Sequence, residues 1–415
     1  MRFLGIFPLL FTSALAFPSA PLQNVLSSPD VSNLDHISPQ LFASLEELSR
    51  IVDISYCVGS TGIYKPFVCA SRCDEFPDFE LVDTFNTGPL MSDSCGYMAL
   101  DHKKRRIIIA FRGTYSIANT IADLSTIPQE YVPYPGDPGD GDGDEARKEE
   151  KEQPKCTNCT VHTGFWTSWQ NSRDYIVPII KELRNTHPDY DLHLVGHSLG
   201  GAVAALAGLE FKMEGWNPTI TTFGEPKLGN AGLRNYIDAV FDMPQAKSAS
   251  GNTIQEGGRY RRVTHVDDPV PLLPLHEWGY RPHAGEVYIS KASLQPSTED
   301  LHLCIGDEDL ECIAGAEAGD RWMHIAKEIG AIDDESIYDA ERRAGPSEDD
   351  DDEEWIRKKS IELKMPWGVP IPARYKIWQL LFAHRDYFWR LGLCIKGGDP
   401  YDWGRERYNF SLGDL

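Results

Sequence analysis

The sequence predicts an α/β fold, a mostly parallel central sheet with helices on both faces. Three observations carry that prediction. Apolar runs of strand length alternate along the chain with segments whose apolar residues recur at helical spacing. Of the 415 residues 41 % are hydrophobic, enough for a sizeable core in one large domain. One junction between such a strand and such a helix, Gly196-His197-Ser198-Leu199-Gly200, holds a Ser between two glycines.

In chain order, the opening "MRFLGIFPLLFTSALA" has a basic start at Arg2, a short apolar run and small residues at Ala14 and Ala16, the pattern of a signal peptide over 1–16. Residues 17–37 show no period and read as a propeptide or loose arm. Ser38 and Pro39 then have the chemistry of a helix cap and first turn, with Phe42, Leu45, Leu48 and Val52 on one face. "RRIIIAF" (105–111) reads as a buried strand, and Trp169, Ile176, Ile180 and Leu183 mark a helix. "DLHLVG" is the next strand and "LGGAVAALAGLEF" the next helix, while "TITTF" and "YRRVTHV" are further strands. This alternation is what argues for parallel pairing under two helical layers. No internal repeat is visible.

Two stretches break the pattern. Residues 136–155 and about 313–370, the latter with the acidic run Glu348 to Glu354, have the composition of solvated insertions in a domain spanning 38–415. Asp140, Asp142 and Asp144 alternate as in a calcium loop, but Glu145 stands where the glycine belongs and Lys151 where the bidentate Glu belongs, so no metal site is expected. The formal charge of −23 would repel polyanions, which argues against nucleic acid and acidic membrane surfaces as partners. After the leader, no apolar run is long enough to span a bilayer, so the expected location is secreted and extracellular.

Nine cysteines in an oxidising compartment suggest four disulfides and one remaining thiol. Cys69 and Cys73, Cys156 and Cys159, and Cys304 and Cys312 are near neighbours in the chain. A Cys57–Cys394 pair would close a very long loop. Cys95 is then the odd residue, expected as a small buried apolar side chain. Asn158 and Asn409 begin glycosylation sequons.

The strand, the Gly-x-Ser-x-Gly junction and the small-residue helix together define a nucleophile elbow, in which a Ser is exposed at a strained turn on the carboxyl edge of an α/β-hydrolase sheet. Ser198 is the predicted nucleophile, and the Leu199 amide, at a helix N-terminus, an oxyanion donor. A Ser hydroxyl needs a His base oriented by a carboxylate, in the chain order Ser, acid, His. The turn after "YRRVTHV" supplies Asp268, with Asp267 as its rival. For the base, His276, His283, His302, His324 and His384 all lie downstream; His384 gains from its place ten residues before Cys394.

The chain resembles the secreted fungal lipases of the class three family, the Rhizomucor and Thermomyces lipase type, and within it the extracellular lipases of Yarrowia. The similar stretches are "YCVGSTGIYKPFVCASRCDEFPDFELV", "IIIAFRGTYSIANTIADL", "CTNCTVHTGF", "VGHSLGGA", "FGEPKLGN", "RVTHVDDPVPLLP", "HAGEVYI" and "HRDYFWRLGLC", which span residues 57–395 in the family's order. The resemblance implies Ser198 as nucleophile, Asp268 as acid and His384 as base, and it matches His283 to a non-catalytic position. It implies Thr114 of "FRGT" and Leu199 as the oxyanion hole, and disulfides Cys57–Cys394, Cys69–Cys73, Cys156–Cys159 and Cys304–Cys312. It also implies a lid helix in "SIANTIADL", where Ile117, Ile121 and Leu124 form an apolar stripe that would lie on an oil surface. The chain departs from the family in its two acidic insertions and in Thr120, where several relatives have an aromatic lid residue.

The expected activity is hydrolysis of triacylglycerol esters at an oil–water interface by a monomeric serine lipase through an acyl-enzyme, with no cofactor and no metal. The expected partner is neutral lipid, met by peripheral contact. A feruloyl esterase, which "CIGDEDLEC" somewhat resembles, or a phospholipase A1 would use the same scaffold; a secreted binding or effector protein would have kept it without activity.

Overall fold

The computed structural model describes residues 37–88, 94–114, 128–131, 154–243, 258–274, 276–307, 309–314 and 383–410, with Glu256 and the strand pair Leu363–Lys364 and Pro370–Ile371. The predicted leader, most of the predicted arm, the lid positions Ile117, Ile121 and Leu124, and most of both acidic stretches lie outside the described residues. Ile37 corrects one boundary: it is buried in the core, so the folded body takes in the last residue of the stretch read as a loose arm. An isoleucine next to a capped, amphipathic helix has apolar surface to bury, and the helix supplies the place.

Helix α1 (Pro39–Ile54) starts as its cap chemistry requires, with the Ser38 hydroxyl accepting from the Leu41 N–H and Pro39 in the first turn. The central sheet comprises β1 (Phe79–Asn86), β2 (Cys95–Asp101), β3 (Arg106–Arg112), β4 (Asp191–His197), β5 (Thr219–Phe223), β6 (Tyr260–His265), β7 (Glu286–Ile289) and β8 (Leu301–Leu303). Its spatial order is the chain order, from β8 at one edge to β1 at the other. Neighbours from β3 to β7 pair in parallel, and β1, β2 and β8 complete the edges by antiparallel pairing.

Between the inner strands run α2 (Thr163–Thr186), α3 (Leu199–Met213) and α4 (Ala231–Val240). Every crossover steps to the next strand in the same direction, so crossovers of one hand lay these helices on one face. Two cores result. Met98, Ile107, Ile109, Phe111, Leu194 and Ile220 face the helical layer, whereas Tyr97, Ile108, Ala110, Val195, Phe223 and Val263 face α1 and the C-terminal segment. The alternation of Ile107, Ile108 and Ile109 between the two cores is why "RIIIAF" is apolar throughout instead of alternating. A smaller four-stranded sheet sits to one side, with order Tyr280–Arg281, Gly229–Asn230, Thr160–His162, Pro128–Glu130.

Four disulfides join Cys57–Cys394, Cys69–Cys73, Cys156–Cys159 and Cys304–Cys312. Cys95 is buried and takes part in no disulfide, with its thiol 3.0 Å from Asn86 Oδ1. The Cys57 bridge ties the end of α1 to the segment after His384, and hence the first described helix to the last described loop.

Candidate active site

The turn from β4 to α3 is at the centre of the sheet. Ser198 caps α3 with φ 59° and ψ −132°, a left-handed conformation that costs a non-glycine residue free energy and is stored at a sharp turn. The flanking glycines make it possible: a Cβ on Gly196 would lie 2.1 Å from the Gly200 carbonyl oxygen, and one on Gly200 would lie 2.4 Å from the Phe111 carbonyl oxygen. Strand and helix touch through bare backbone there. The Ser198 N–H donates to the Phe223 carbonyl (2.9 Å) and its own carbonyl accepts from Gly201 (2.8 Å), which fixes the elbow from both sides.

Asp268 stands in the turn just beyond β6, where its N–H closes onto the His265 carbonyl (2.9 Å). Its side chain is fully engaged. Oδ1 accepts from the Val270 N–H (2.9 Å), Oδ2 from the Tyr387 hydroxyl (2.5 Å), and both face His384 Nδ1 at 3.0 and 2.9 Å. Burial pushes the Asp268 carboxyl up, but the His384 charge and the hydrogen bonds from His384, Tyr387 and Val270 outweigh it and hold the group below its ordinary value. His384, in the single turn Ala383–Arg385, is buried as well. Its Nε2, equally shielded, has no hydrogen-bond partner among the described residues.

The remaining candidates separate cleanly. Asp267 is only half-buried, and its backbone N–H, 3.4 Å from His265 Nδ1, does not involve its carboxylate. His283 belongs to a buried cluster with Glu225 (2.9 Å) and Tyr260 (3.0 Å), His302 pairs with Ser290 (3.1 Å), and His276 is exposed. His324 lies outside the described residues. Thr114 follows directly on β3, half-buried, and a Cβ on the preceding Gly113 would sit 2.8 Å from Ser198 Cβ, so this backbone passes against the elbow. Leu199 opens α3, where first-turn N–H groups have no partner within the helix. Asn158 and Asn409 are both exposed.

Sequence reasoning missed several close neighbours. Tyr387 follows His384 by three residues, and nothing in its spacing marks it as a carboxylate donor. Gly224 has φ +60°, and a side chain there would meet the Tyr387 hydroxyl at 2.6 Å, Asp268 Oδ2 at 2.8 Å and His384 Cε1 at 2.8 Å; glycine leaves Asp268 and His384 room to meet. The rings of His197 and His384 stack at 4.6 Å.

A buried carboxylate holding an imidazole by one nitrogen, beside a strained serine elbow on a mostly parallel sheet, defines an α/β-hydrolase. The family model for class 3 lipases matches residues 108–278. The "Secreted mono- and diacylglycerol lipase 2" of Gibberella zeae is 50 % identical over 413 residues, 96 % of this chain and 92 % of that protein. "Lipase A" of Sodiomyces alcalophilus is 48 % identical over 93 % of this chain and 89 % of its own length. Among solved structures, the Lip2 lipase of Yarrowia lipolytica superposes with a TM-score of 0.59 at 31 % identity, covering 68 % of this chain and 90 % of that one. The chain belongs to the class 3 lipase family. It is a secreted carboxylic ester hydrolase that acts on lipid. No helix among the described residues is long and apolar enough to cross a membrane.

Proposed function

We propose that Ser198, His384 and Asp268 form the catalytic triad that hydrolyses acylglycerol esters. Asp268 holds the His384 imidazole with its Nδ1–H toward the carboxylate, so Nε2 is left to take the Ser198 proton. The alkoxide attacks the ester carbonyl, and the N–H groups of Thr114 and Leu199 stabilise the oxyanion. His384 then protonates the departing alcohol, and water releases the acid from the acyl-enzyme by the same route. The single observation that supports this most is His384 itself, doubly bonded to Asp268 at 2.9 and 3.0 Å through Nδ1 while its buried Nε2 has no partner among the described residues. A serine-directed phosphonate tests it: the adduct belongs on the peptide that contains Ser198 and disappears in Ser198→Ala. Labelling elsewhere, or activity retained by the variant, overturns the assignment.

The substrate is triacylglycerol met at a lipid surface by a monomer, with the Ile117, Ile121 and Leu124 stripe as the lid face and with the mature chain starting after the leader. The names of the Gibberella relative and of a second one from Penicillium cyclopium, 34 % identical over 219 residues, favour a second reading, preference for mono- and diacylglycerols. Initial rates on emulsified tri-, di- and monobutyrin decide between them: a rate on tributyrin at least equal to that on dibutyrin keeps the first, and a rate on tributyrin tenfold lower establishes the second.

A further inference from the structure

His197, the variable residue of the elbow motif, is used by none of the steps above. It is buried beside Ser198, and its ring stacks on His384 at 4.6 Å with an interplanar angle of 28°. Nε2 lies 2.8 Å from the His384 carbonyl oxygen. A carbonyl only accepts, so Nε2 carries the hydrogen. On the other side of the ring, Nδ1 lies 2.5 Å from the Tyr56 hydroxyl. Burial holds the His197 pKa down at about 3, with the neighbouring His384 charge adding to the effect, so the ring is neutral and Nδ1 accepts from the Tyr56 O–H. The Tyr56 hydroxyl in turn lies against Gly113, and that glycine leaves the room: a Cβ there would be 2.6 Å from the oxygen.

We infer that Tyr56 and His197 are positioning residues, forming a one-way chain that ties the oxyanion loop to the base: Tyr56, seated against Gly113, donates its O–H to His197, and His197 Nε2–H donates to the His384 carbonyl. Every donor in the chain points the same way, so each bond polarises the next. The two ends are the residue before Thr114 and the backbone of His384 itself. Tyr56 lies in the turn just after α1 and precedes the Cys57–Cys394 bridge, and a Cβ on Gly392, two residues before Cys394, would lie 3.7 Å from its ring, so the phenol sits beside the base loop as well. Such an arrangement keeps a rigid relation between the groups that stabilise the oxyanion and the group that moves the proton.

The inference rests on the roles proposed for His384 and Thr114, and its test separates the two. Ser198→Ala addresses those roles; two other measurements address the chain. First, 15N NMR of the wild-type imidazoles reads the tautomer: His197 is expected as the Nε2–H form, unchanged between pH 5 and 9, and an Nδ1–H form or a titration in that range overturns the inference whatever the catalytic roles. Second, Tyr56→Phe and His197→Gln are compared singly and together on a soluble short-chain ester. Because the chain acts as one unit, each single variant is expected to lose about 10–100-fold in kcat with KM within about twofold, and the double variant to be no worse than the poorer single. Losses that multiply in the double variant, a change confined to KM, or kcat within twofold of wild type for Tyr56→Phe, would each contradict it.

Discussion

At the scale of single residues, the proposed site rests on one carboxylate and two histidines whose different ring nitrogens are engaged, Nδ1 of His384 by Asp268 and Nε2 of His197 by the His384 carbonyl. Asp268 has every oxygen engaged by His384, Tyr387 or Val270, so replacing it alters the tautomer of the base and not merely a charge. Asp268→Asn should leave the fold in place and lower kcat by about 10⁴-fold, as measured on a soluble ester with disulfide content and circular dichroism as controls. His197 makes a second, thermodynamic prediction. Its folded pKa, about 3, lies below the ordinary value near 6.5, so the unfolded chain takes up the proton first as pH falls. The stability it contributes is complete above about pH 6.5 and is lost progressively down to about pH 3, with a slope approaching 1.4 kcal/mol per pH unit. In denaturant unfolding, the advantage of wild type over His197→Gln should therefore shrink from pH 7 to pH 4.5; parallel curves would show that His197 is not held neutral. Of these residues Ser198 and Asp268 are singled out by the sequence itself, because the elbow and the turn after a strand are local patterns. Resemblance ranked His384 above four other histidines, whereas spacing alone left them open. Tyr387, Gly224 and the Tyr56–His197 pair were not legible, since each acts across more than a hundred residues of chain or through space that only the folded backbone defines.

At the scale of elements, strands β3 to β6 and helices α1 to α3 were read correctly because each has a long, one-sided or wholly apolar pattern. The edges were harder. β1, "FELVDTFN", carries a register shift between Leu81 and Asp83, and its half-exposed middle breaks the period that a regular strand would show. β8 is three residues long, too short to carry any period. Helix α2 extends past its apolar stripe in both directions and accommodates Pro178 in its interior. The elbow is the element most sensitive to a single methyl group. Gly196→Ala would place a Cβ 2.1 Å from the Gly200 carbonyl, and backbone cannot move aside there without displacing Ser198. The expected cost is about 3 kcal/mol or more of stability together with loss of turnover, read from thermal unfolding and phosphonate titration. A variant that titrates fully and unfolds at the wild-type temperature would mean that the junction is looser than its geometry.

At the scale of the whole molecule, the base loop hangs on α1. The Gly392 N–H donates to Asp53 (2.8 Å), the Trp389 indole to Glu46 (2.6 Å), and Arg72 bridges toward Asp53 and Asp402 (3.5 and 3.2 Å), all behind the Cys57–Cys394 bond that spans 337 residues. Closing so long a loop restricts the unfolded chain strongly, so the Cys57→Ala, Cys394→Ala double variant should lose about 3–5 kcal/mol of unfolding free energy. The active-site titre at low temperature should remain, because the polar contacts still seat the loop; loss of the titre in a folded variant would assign the bond a direct role in placing His384. If Ser198 is the nucleophile of an enzyme working on lipid, its hydrolysis must follow the lipid surface and vanish with the hydroxyl. Initial rates on tributyrin are followed from below to above its solubility limit, for wild type and for Ser198→Ala. The wild-type rate is expected to climb sharply once droplets form, and the variant to show no measurable rate at any concentration. A variant that retains hydrolysis, or a wild-type rate that saturates in true solution and ignores the droplets, would contradict it.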